Sequence, residues 1–385
     1  MGGAYGDPVM RLLHTSDWHL GRSFHREDLL GAQAAFVDHL VDTVRSERVD
    51  CVLISGDVYD RALPAVDAVR LCNEALERLA ALTRVVLIAG NHDSVQRLGF
   101  GSSLMDKAGV HVRTDPASVG EPILIDDAAV YGIPYLEPEL VRHRWDLDER
   151  SHAAALTEAM RRVRADIARR DTTSIVLAHA FVTGGEASDS ERDISVGGAV
   201  NVPASVFEGV DYAALGHLHG RQAMTDRVRY SGSPLAYSFS EERQLKGSWL
   251  VDLRPGGELS AEFVEAPVPR RVARLRGHID DLLADPSYEK YEDRWLQITL
   301  TDAQRPSAAM ERLRGRFPYA LVLGFEPENE TAADTRTWSD RIRERSDLDI
   351  AGDFVAEVSQ APASAAERDL LHEAFECCRQ KEALA

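Results

Sequence analysis

Ten residues, RVVLIAGNHD at 84–93, constrain the fold of this chain more than any other stretch. Val85 to Ala89 are apolar without interruption, the pattern of a strand buried on both faces of a parallel sheet. Gly90 ends the run, and Asn91, His92 and Asp93 follow at once. An amide, an imidazole and a carboxylate at the carboxyl end of a buried strand stand where open α/β sheets bind their ligands. Four more polar clusters, at Asp17, Asp57, His179 and His217, end strand-like segments in the same way.

In chain order, MRLLH at 10–14 predicts a short strand, and the loop TSDWHLGR carries Asp17 and His19. The D-x-H spacing in a loop lets both side chains turn toward one ion. His14 lies inside the strand and reads as a hydrogen-bonded core or supporting histidine. Leu29, Ala32, Phe36, Leu40 and Val44 recur at helical spacing and predict a helix over 28–48. The strand CVLISG then ends in Asp57 and Asp60, and a helix over 64–82 has Pro64 near its start. The first 93 residues therefore read β-α-β-α-β with right-handed crossovers. A helix and a variable connection fill 94–120, and two strands fill 121–134. An arginine-rich amphipathic helix spans 151–170, its Arg161, Arg162, Arg164, Arg169 and Arg170 on a solvated face. SIVLAHA is a buried strand ending in His179. The Gly/Ser/Asp-rich stretch 183–200 is a long loop of the kind that is often functional. Residues 210–215 form a strand closed by Gly216-His217-Leu218-His219, and further strands follow at 228–234 and 247–265.

Ala266-Pro267-Val268-Pro269 marks a boundary. Beyond it a β-α-β-α-β pattern predicts a small α/β domain. Arg270, Arg271, Arg274 and Arg276 on or beside its first strand, and Arg312, Arg314 and Arg316 at the end of its second helix, are candidates for phosphate contacts, with a solvated face as the alternative. The expected organisation is a disordered leader at 1–9, a catalytic domain at 10–266, the small domain at 267–327, a linker at 328–349 and a helical tail at 350–385. Residues 1–9 carry no signal-peptide pattern. No apolar run approaches the roughly 18–20 residues of a membrane span. Of the four cysteines, Cys51 and Cys72 read as core, Cys377 and Cys378 are adjacent, and none has zinc spacing. A reducing cytoplasm and no membrane association are expected. The net charge of −19 argues against a nonspecific nucleic-acid coat. It leaves bound cations and local arginine clusters as ways to hold phosphate.

The strand-end donors are Asp17, His19, Asp57, Asn91, His179, His217 and His219. Seven N/O donors exceed the needs of one ion and suit two, about 3.5–4 Å apart, if one carboxylate bridges them. Asp57 stands on the strand between those carrying the D-x-H and the Asn, and is the natural bridge. Four imidazoles with two carboxylates and no thiolate favour Mn²⁺, Fe²⁺ or Zn²⁺ over Mg²⁺ or Ca²⁺. Such a pair binds a phosphate oxygen and activates water for in-line attack. By strand alternation His92 points away from its neighbour Asn91, which makes it the candidate general acid. Asp60, one helical turn past Asp57, is the candidate for orienting His92 and raising its pKa.

The series D-x-H, GDxxD, GNHD, H, GHxH from Asp17 to His219 resembles the calcineurin-like metallophosphoesterase superfamily. Six segments are more narrowly similar to the SbcD family, nuclease subunits of bacterial SbcCD complexes. They are HTSDWHLGR at 14–22, SGDVYD at 55–60, AGNHDS at 89–94, RDISVGG at 192–198, ALGHLH at 214–219 and YSGSP at 230–234. The resemblance implies a four-layer α-β-β-α sandwich with a small capping domain and a helical tail. It implies two Mn²⁺ ions, with Mg²⁺, Fe²⁺ or Zn²⁺ as alternatives. Asp17, His19, Asp57 and His219 would hold one ion, and Asp57, Asn91, His179 and His217 the other, with His92 as proton donor. Some archaeal and eukaryotic relatives have a second catalytic-site histidine where this chain has Asp60. The implied activity is an ATP-regulated 3′–5′ exonuclease on double-stranded DNA ends and an endonuclease at hairpins, in repair, recombination and replication. Implied partners are the SbcC ATPase, which takes the tail, and a second nuclease subunit in a homodimer. The alternative from a different class is a phosphatase or phosphodiesterase acting on nucleotides or phosphoproteins.

Overall fold

Unbroken apolar runs become strands buried on both faces. In the computed structural model, Leu12, Cys51, Leu53, Val86 and Ile88 point into one core cluster, whereas Leu13, Val52, Ile54, Val85 and Leu87 point into another. This alternation places one sheet between a second sheet and a helix layer. The structure describes residues 10–191, 202–254, 258–328, 346–359 and 361–382. The expected leader, the RDISVGG segment and most of the linker lie outside them.

The first sheet has the order Leu259–Glu265, Gly247–Leu253, Met10–Thr15, Cys51–Ile54, Arg84–Ile88, Val110–Arg113. Its last four strands are parallel, and the other two add antiparallel at one edge. The second sheet runs Gln222–Ala223, Val228–Tyr230, Tyr212–Gly216, Thr173–His179, Ala128–Ile133, Ile123–Ile125, again with a parallel centre. Helices Leu30–Glu47 and Val66–Ala80 cover the first sheet, and His152–Ile167 covers the second. The two sheets share a core that includes Leu53, Ile88, Val130, Leu177 and Tyr212. The result is the expected α-β-β-α sandwich.

Three elements depart from expectation. Val110–Arg113 is a strand at the edge of the first sheet, inside the stretch read as a connection. VHVR gives only two turns of period-two alternation, too short a signal to stand out. Pro138–Trp145 is a helix without an apolar stripe, burying Val141 while Leu140 is exposed. Ser23–Phe24 and Glu27–Asp28 form a two-residue hairpin whose turn residues His25 and Arg26 both have positive φ.

A second compact unit begins at Ala273. Its sheet has the order Val272–Gly277, Trp295–Leu300, Ala320–Phe325, and helices Ile279–Ala284 and Ala309–Arg316 pack on its core with Leu282, Leu313 and Phe317. The arginines that end this second helix are engaged within the unit. Arg312 bonds Asp280, Arg314 donates to the Ala320 carbonyl, and Arg316 donates to Glu292 and to the Leu282 carbonyl. Helices Asp347–Ser359 and Ala365–Glu382 follow. No helix among the described residues is long and apolar enough to cross a membrane.

Candidate metal centre

Parallel strands bring their carboxyl ends to one edge of a sheet, and the sandwich stacks two such edges. Asp17, Asp57 and Asn91 follow strands of the first sheet, and His179, His217 and His219 end or follow strands of the second. The seam between them is tight. Ser55 Oγ donates to the Ala214 carbonyl at 2.9 Å, and a Cβ on Gly216 would lie 1.9 Å from the Ser55 carbonyl. A Cβ on Gly90 would lie 2.1 Å from Asp57 Oδ1. Glycine at these two strand ends is a condition for the donors to meet.

All seven predicted donors converge, and His92 joins them. Ligand atoms of Asp17, His19 and His219 lie within 4.8 Å of one another, as do those of Asp17, Asp57 and His179. Asn91 Oδ1 is 2.9 Å from His179 Nε2 and 3.2 Å from His217 Nδ1. Asp57 is central. Its Oδ2 is 3.6 Å from both His19 Nε2 and His179 Nε2, and 4.0 Å from His92 Nε2. Asp17, His19, Asp57 and His217 all have φ between 45° and 108°. Non-glycine residues adopt such values at a cost of about 1–3 kcal/mol each, and they cluster at functional sites.

The arrangement fits divalent cations. His19 Nε2 and His219 Nε2 face each other at 3.1 Å, and His19 Nδ1 and Asn91 Nδ2 are buried with no hydrogen-bond partner among the described residues. Burial and the neighbouring Asp57 hold the Asp17 carboxyl well above the usual carboxylate range. The same two causes push Asp93 up to about 7. Burial pushes the His19, His179 and His217 imidazoles below their usual range, with neighbouring imidazoles adding to the effect at His19 and His217. Neutral imidazoles are the form that ligates. A divalent cation reverses the local electrostatics and favours the ionised carboxylates.

Hydrogen bonds on the far side of the rings fix which nitrogen faces the centre. His179 Nδ1 donates to the Ser55 carbonyl at 2.8 Å, leaving Nε2 for the site. His92 Nδ1 donates to the main-chain carbonyl of Asp60 at 2.7 Å, so its Nε2 faces Asp57. The expectation that the Asp60 side chain orients His92 is thereby corrected. The turn after Asp57 presents the Asp60 carbonyl to the ring, while its carboxylate is turned toward Arg22 at 3.6 Å and His19 at 3.7 Å.

Other supporting residues escaped the sequence reading. Asp93 accepts the main-chain N–H groups of Val58, Tyr59 and Gly90 at 2.9–3.1 Å, which ties the Asp57 loop to the Asn91 loop. Gln33 bonds the carbonyls of Trp18 and His19 and the N–H of Gly21. Its one signal is a polar residue on the buried face of an apolar helix. Ser16 donates to Asp17 at 2.6 Å. His14, by contrast, is the hydrogen-bonded core histidine that its place in the strand implied, bonded to the Tyr212 hydroxyl and the Leu215 carbonyl.

Residues 10–221 match the family profile of the calcineurin-like phosphoesterases. Residues 268–359 match the SbcD C-terminal profile, described as the type 5 capsule protein repressor C-terminal domain. Among solved structures, a protein from Thermus thermophilus is similar at 13% identity and a TM-score of 0.37, over 66% of this chain and 99% of that one. A dimetal phosphatase from Danio rerio is similar at 14% identity and a TM-score of 0.36, over 68% of this chain and 100% of that one. An archaeal phosphodiesterase is similar at 11% identity and a TM-score of 0.29, over 66% and 100%.

Proposed function

The chain belongs to the calcineurin-like phosphoesterase family, and from that premise we propose that it is a DNA nuclease subunit of the SbcD type. It hydrolyses phosphodiesters with two Mn²⁺ ions, as a 3′–5′ exonuclease on double-stranded ends and an endonuclease at hairpins, under control of an SbcC-type ATPase. The observation that carries this reading over a small-substrate phosphatase is the match of residues 268–359 to the SbcD C-terminal profile, in a unit separate from the candidate centre.

In this reading Asp17, His19, Asp57 and His219 hold one cation, and Asp57, Asn91, His179 and His217 the other. The pair supplies Lewis acidity to the phosphoryl group and lowers the pKa of the attacking water. The protein's own part is positioning and proton transfer. Asp93 ties the Asp57 loop to the Asn91 loop and Ser55 joins the two sheet edges, so the donors are in place before substrate arrives. The Nε2 of His92, aimed by the Asp60 carbonyl, gives its proton to the leaving oxygen. Arg22, which packs over the Tyr237 ring beside His19, stands where it can meet a phosphate.

The homodimer is proposed on an apolar face of the first unit. Leu63, Val66, Phe100 and Leu104 are each two-thirds or more exposed, and Arg97 bonds the Ala62 carbonyl to hold the two stretches together. A face built from these side chains would suit a second copy of the subunit.

The test is to incubate the purified chain with Mn²⁺, with and without the ATPase, on linear duplex and hairpin DNA, and in parallel on nucleotide monoesters. Degradation of the DNA is expected. Hydrolysis of the monoesters with intact DNA in both conditions would overturn the nuclease reading in favour of a phosphatase.

A further inference from the structure

His219 is oriented differently from the other imidazoles of the centre. His179 and His92 are aimed by main-chain carbonyls next to the site. His219 Nδ1 instead donates to the hydroxyl of Ser190 at 2.6 Å, and Ser190 Oγ donates to Glu241 Oε1 at 2.5 Å. Glu241 and Lys246, 1% and 5% exposed, form a buried ion pair. Lys246 Nζ also donates to the His219 carbonyl at 2.9 Å and to Ser233 Oγ at 3.0 Å. From the other side, Glu191 accepts the His219 main-chain N–H at 2.7 Å. One histidine is thus gripped at its ring, its N–H and its carbonyl.

Two of those grips come from the strap Ser188–Glu191. Glu191 accepts the Ser188 N–H at 2.7 Å, the Asp189 N–H donates to Ser240 Oγ at 3.0 Å, and Arg22 donates to the Ser190 carbonyl at 3.2 Å. A buried Lys–Glu pair gains little stability over apolar residues of the same size, so stability alone does not account for it here. Its geometry serves the His219 ring, because Glu241 fixes the Ser190 hydroxyl as acceptor of Nδ1–H and leaves Nε2 as the ligand atom.

We propose that the strap Ser188–Glu191, backed by Glu241 and Lys246, sets the metal affinity of the position held by Asp17, His19 and His219, and leaves the position of Asn91, His179 and His217 unaffected. The inference rests on the dimetal reading above. Ser190, Glu191, Glu241 and Lys246 are positioning residues in it, and none is a ligand. The two positions then differ in what aims their imidazoles: His179 is set by the main-chain carbonyl of Ser55, His219 by the side chains of the strap.

The test is Mn²⁺ titration of the metal-stripped full chain by calorimetry, with circular dichroism as the control for folding. Ser190→Ala removes only the hydroxyl relay from a half-buried loop position. One equivalent of Mn²⁺ is expected to weaken about 10–100-fold, the usual effect of losing a partner behind a ligand, and the other to keep its affinity. Ser190→Thr, which keeps the hydroxyl, should restore the first equivalent. The double change Glu241→Leu with Lys246→Met removes both charges together and should reproduce the one-site loss. A purely structural role would lower the melting temperature and leave the ratio of the two affinities unchanged. If wild type takes up two equivalents and Ser190→Ala binds both as wild type does, or loses both alike, the inference is overturned and the dimetal reading stands. If wild type takes up no metal, both fall.

Discussion

At the scale of single residues, His92 and His14 show how one side chain takes opposite roles by placement. His92 Nε2 faces the centre at 4.0 Å from Asp57 and is held from behind. His92→Ala is expected to keep both metals and lose about 10²–10⁴-fold in turnover on DNA, the usual worth of general acid catalysis. An aryl phosphodiester, whose leaving group needs no proton, should be partly spared. Equal losses on both substrates, or loss of metal on mass spectrometry, would show that His92 is not the acid. His14 lies across the seam of the sandwich, where burial pushes its pKa down from 6.5 to about 3. In that window the unfolded chain binds a proton that the folded chain refuses. The neutral ring's contribution is therefore present above pH 6.5 and is lost as pH falls toward 3. His14→Gln should be less stable than wild type near neutrality by about 1–3 kcal/mol, from lost buried hydrogen bonds. The gap should narrow as the pH is lowered, as read from urea unfolding of metal-stripped protein at several pH values. A gap that stays constant would mean His14 does not titrate in this way.

At the scale of elements, the strand ends matter more than the strands. Gly90→Ala would put a Cβ 2.1 Å from Asp57 Oδ1. It is expected to abolish most metal uptake with little change in the far-ultraviolet spectrum. Gly31→Ala, in a helix with open space around the added methyl, should leave uptake unchanged and raise stability by about 0.5–1 kcal/mol. Equal metal uptake by the two variants would refute the packing argument for Gly90. The legibility of the chain follows the same division. Strands such as VVLI and IVLA were readable because burial on both faces demands unbroken apolar runs, and the donors were readable because they come straight after such runs. VHVR and PELVRHRW were not, since an edge strand and a half-exposed helix bury too few side chains to leave a pattern. The orienting carbonyl of Asp60 was out of reach for another reason: every residue type has a carbonyl. The network of Ser190, Glu191, Glu241 and Lys246 joins segments about fifty residues apart by polar contacts alone, and no local periodicity encodes that. The arginines at the end of Ala309–Arg316 show the same limit from the other side. As sequence they are a basic cluster, yet the fold turns them onto Asp280, Glu292 and the carbonyls of Leu282 and Ala320.

At the scale of the whole molecule, a net charge of −19 must still meet a polyanion if the nuclease reading holds. Bound cations offset part of it at the centre, and a partner subunit that also grips the DNA would lower what this chain must supply alone. The tail is the element suited to recruiting one. Helices Asp347–Ser359 and Ala365–Glu382 carry Phe354, Val358 and Leu370, each more than half exposed. Short helices are marginal in water by themselves, and an exposed apolar stripe at i, i+4 spacing suits docking into a groove of another protein. The SbcD C-terminal profile ends at residue 359, the last residue of the first of these helices. Deleting residues 346–382 is therefore expected to leave metal uptake and the folded core unchanged while abolishing co-purification with an SbcC-type ATPase. Deleting 365–382 alone should weaken that association and leave part of it, because Phe354 and Val358 remain. Phe354→Asp with Leu370→Asp should match the longer deletion while removing no chain. If either the long deletion or this double variant still co-purifies at normal stoichiometry, the partner docks elsewhere. If the long deletion instead unfolds, the two helices belong to the core of their own unit, and their exposed apolar residues serve no partner.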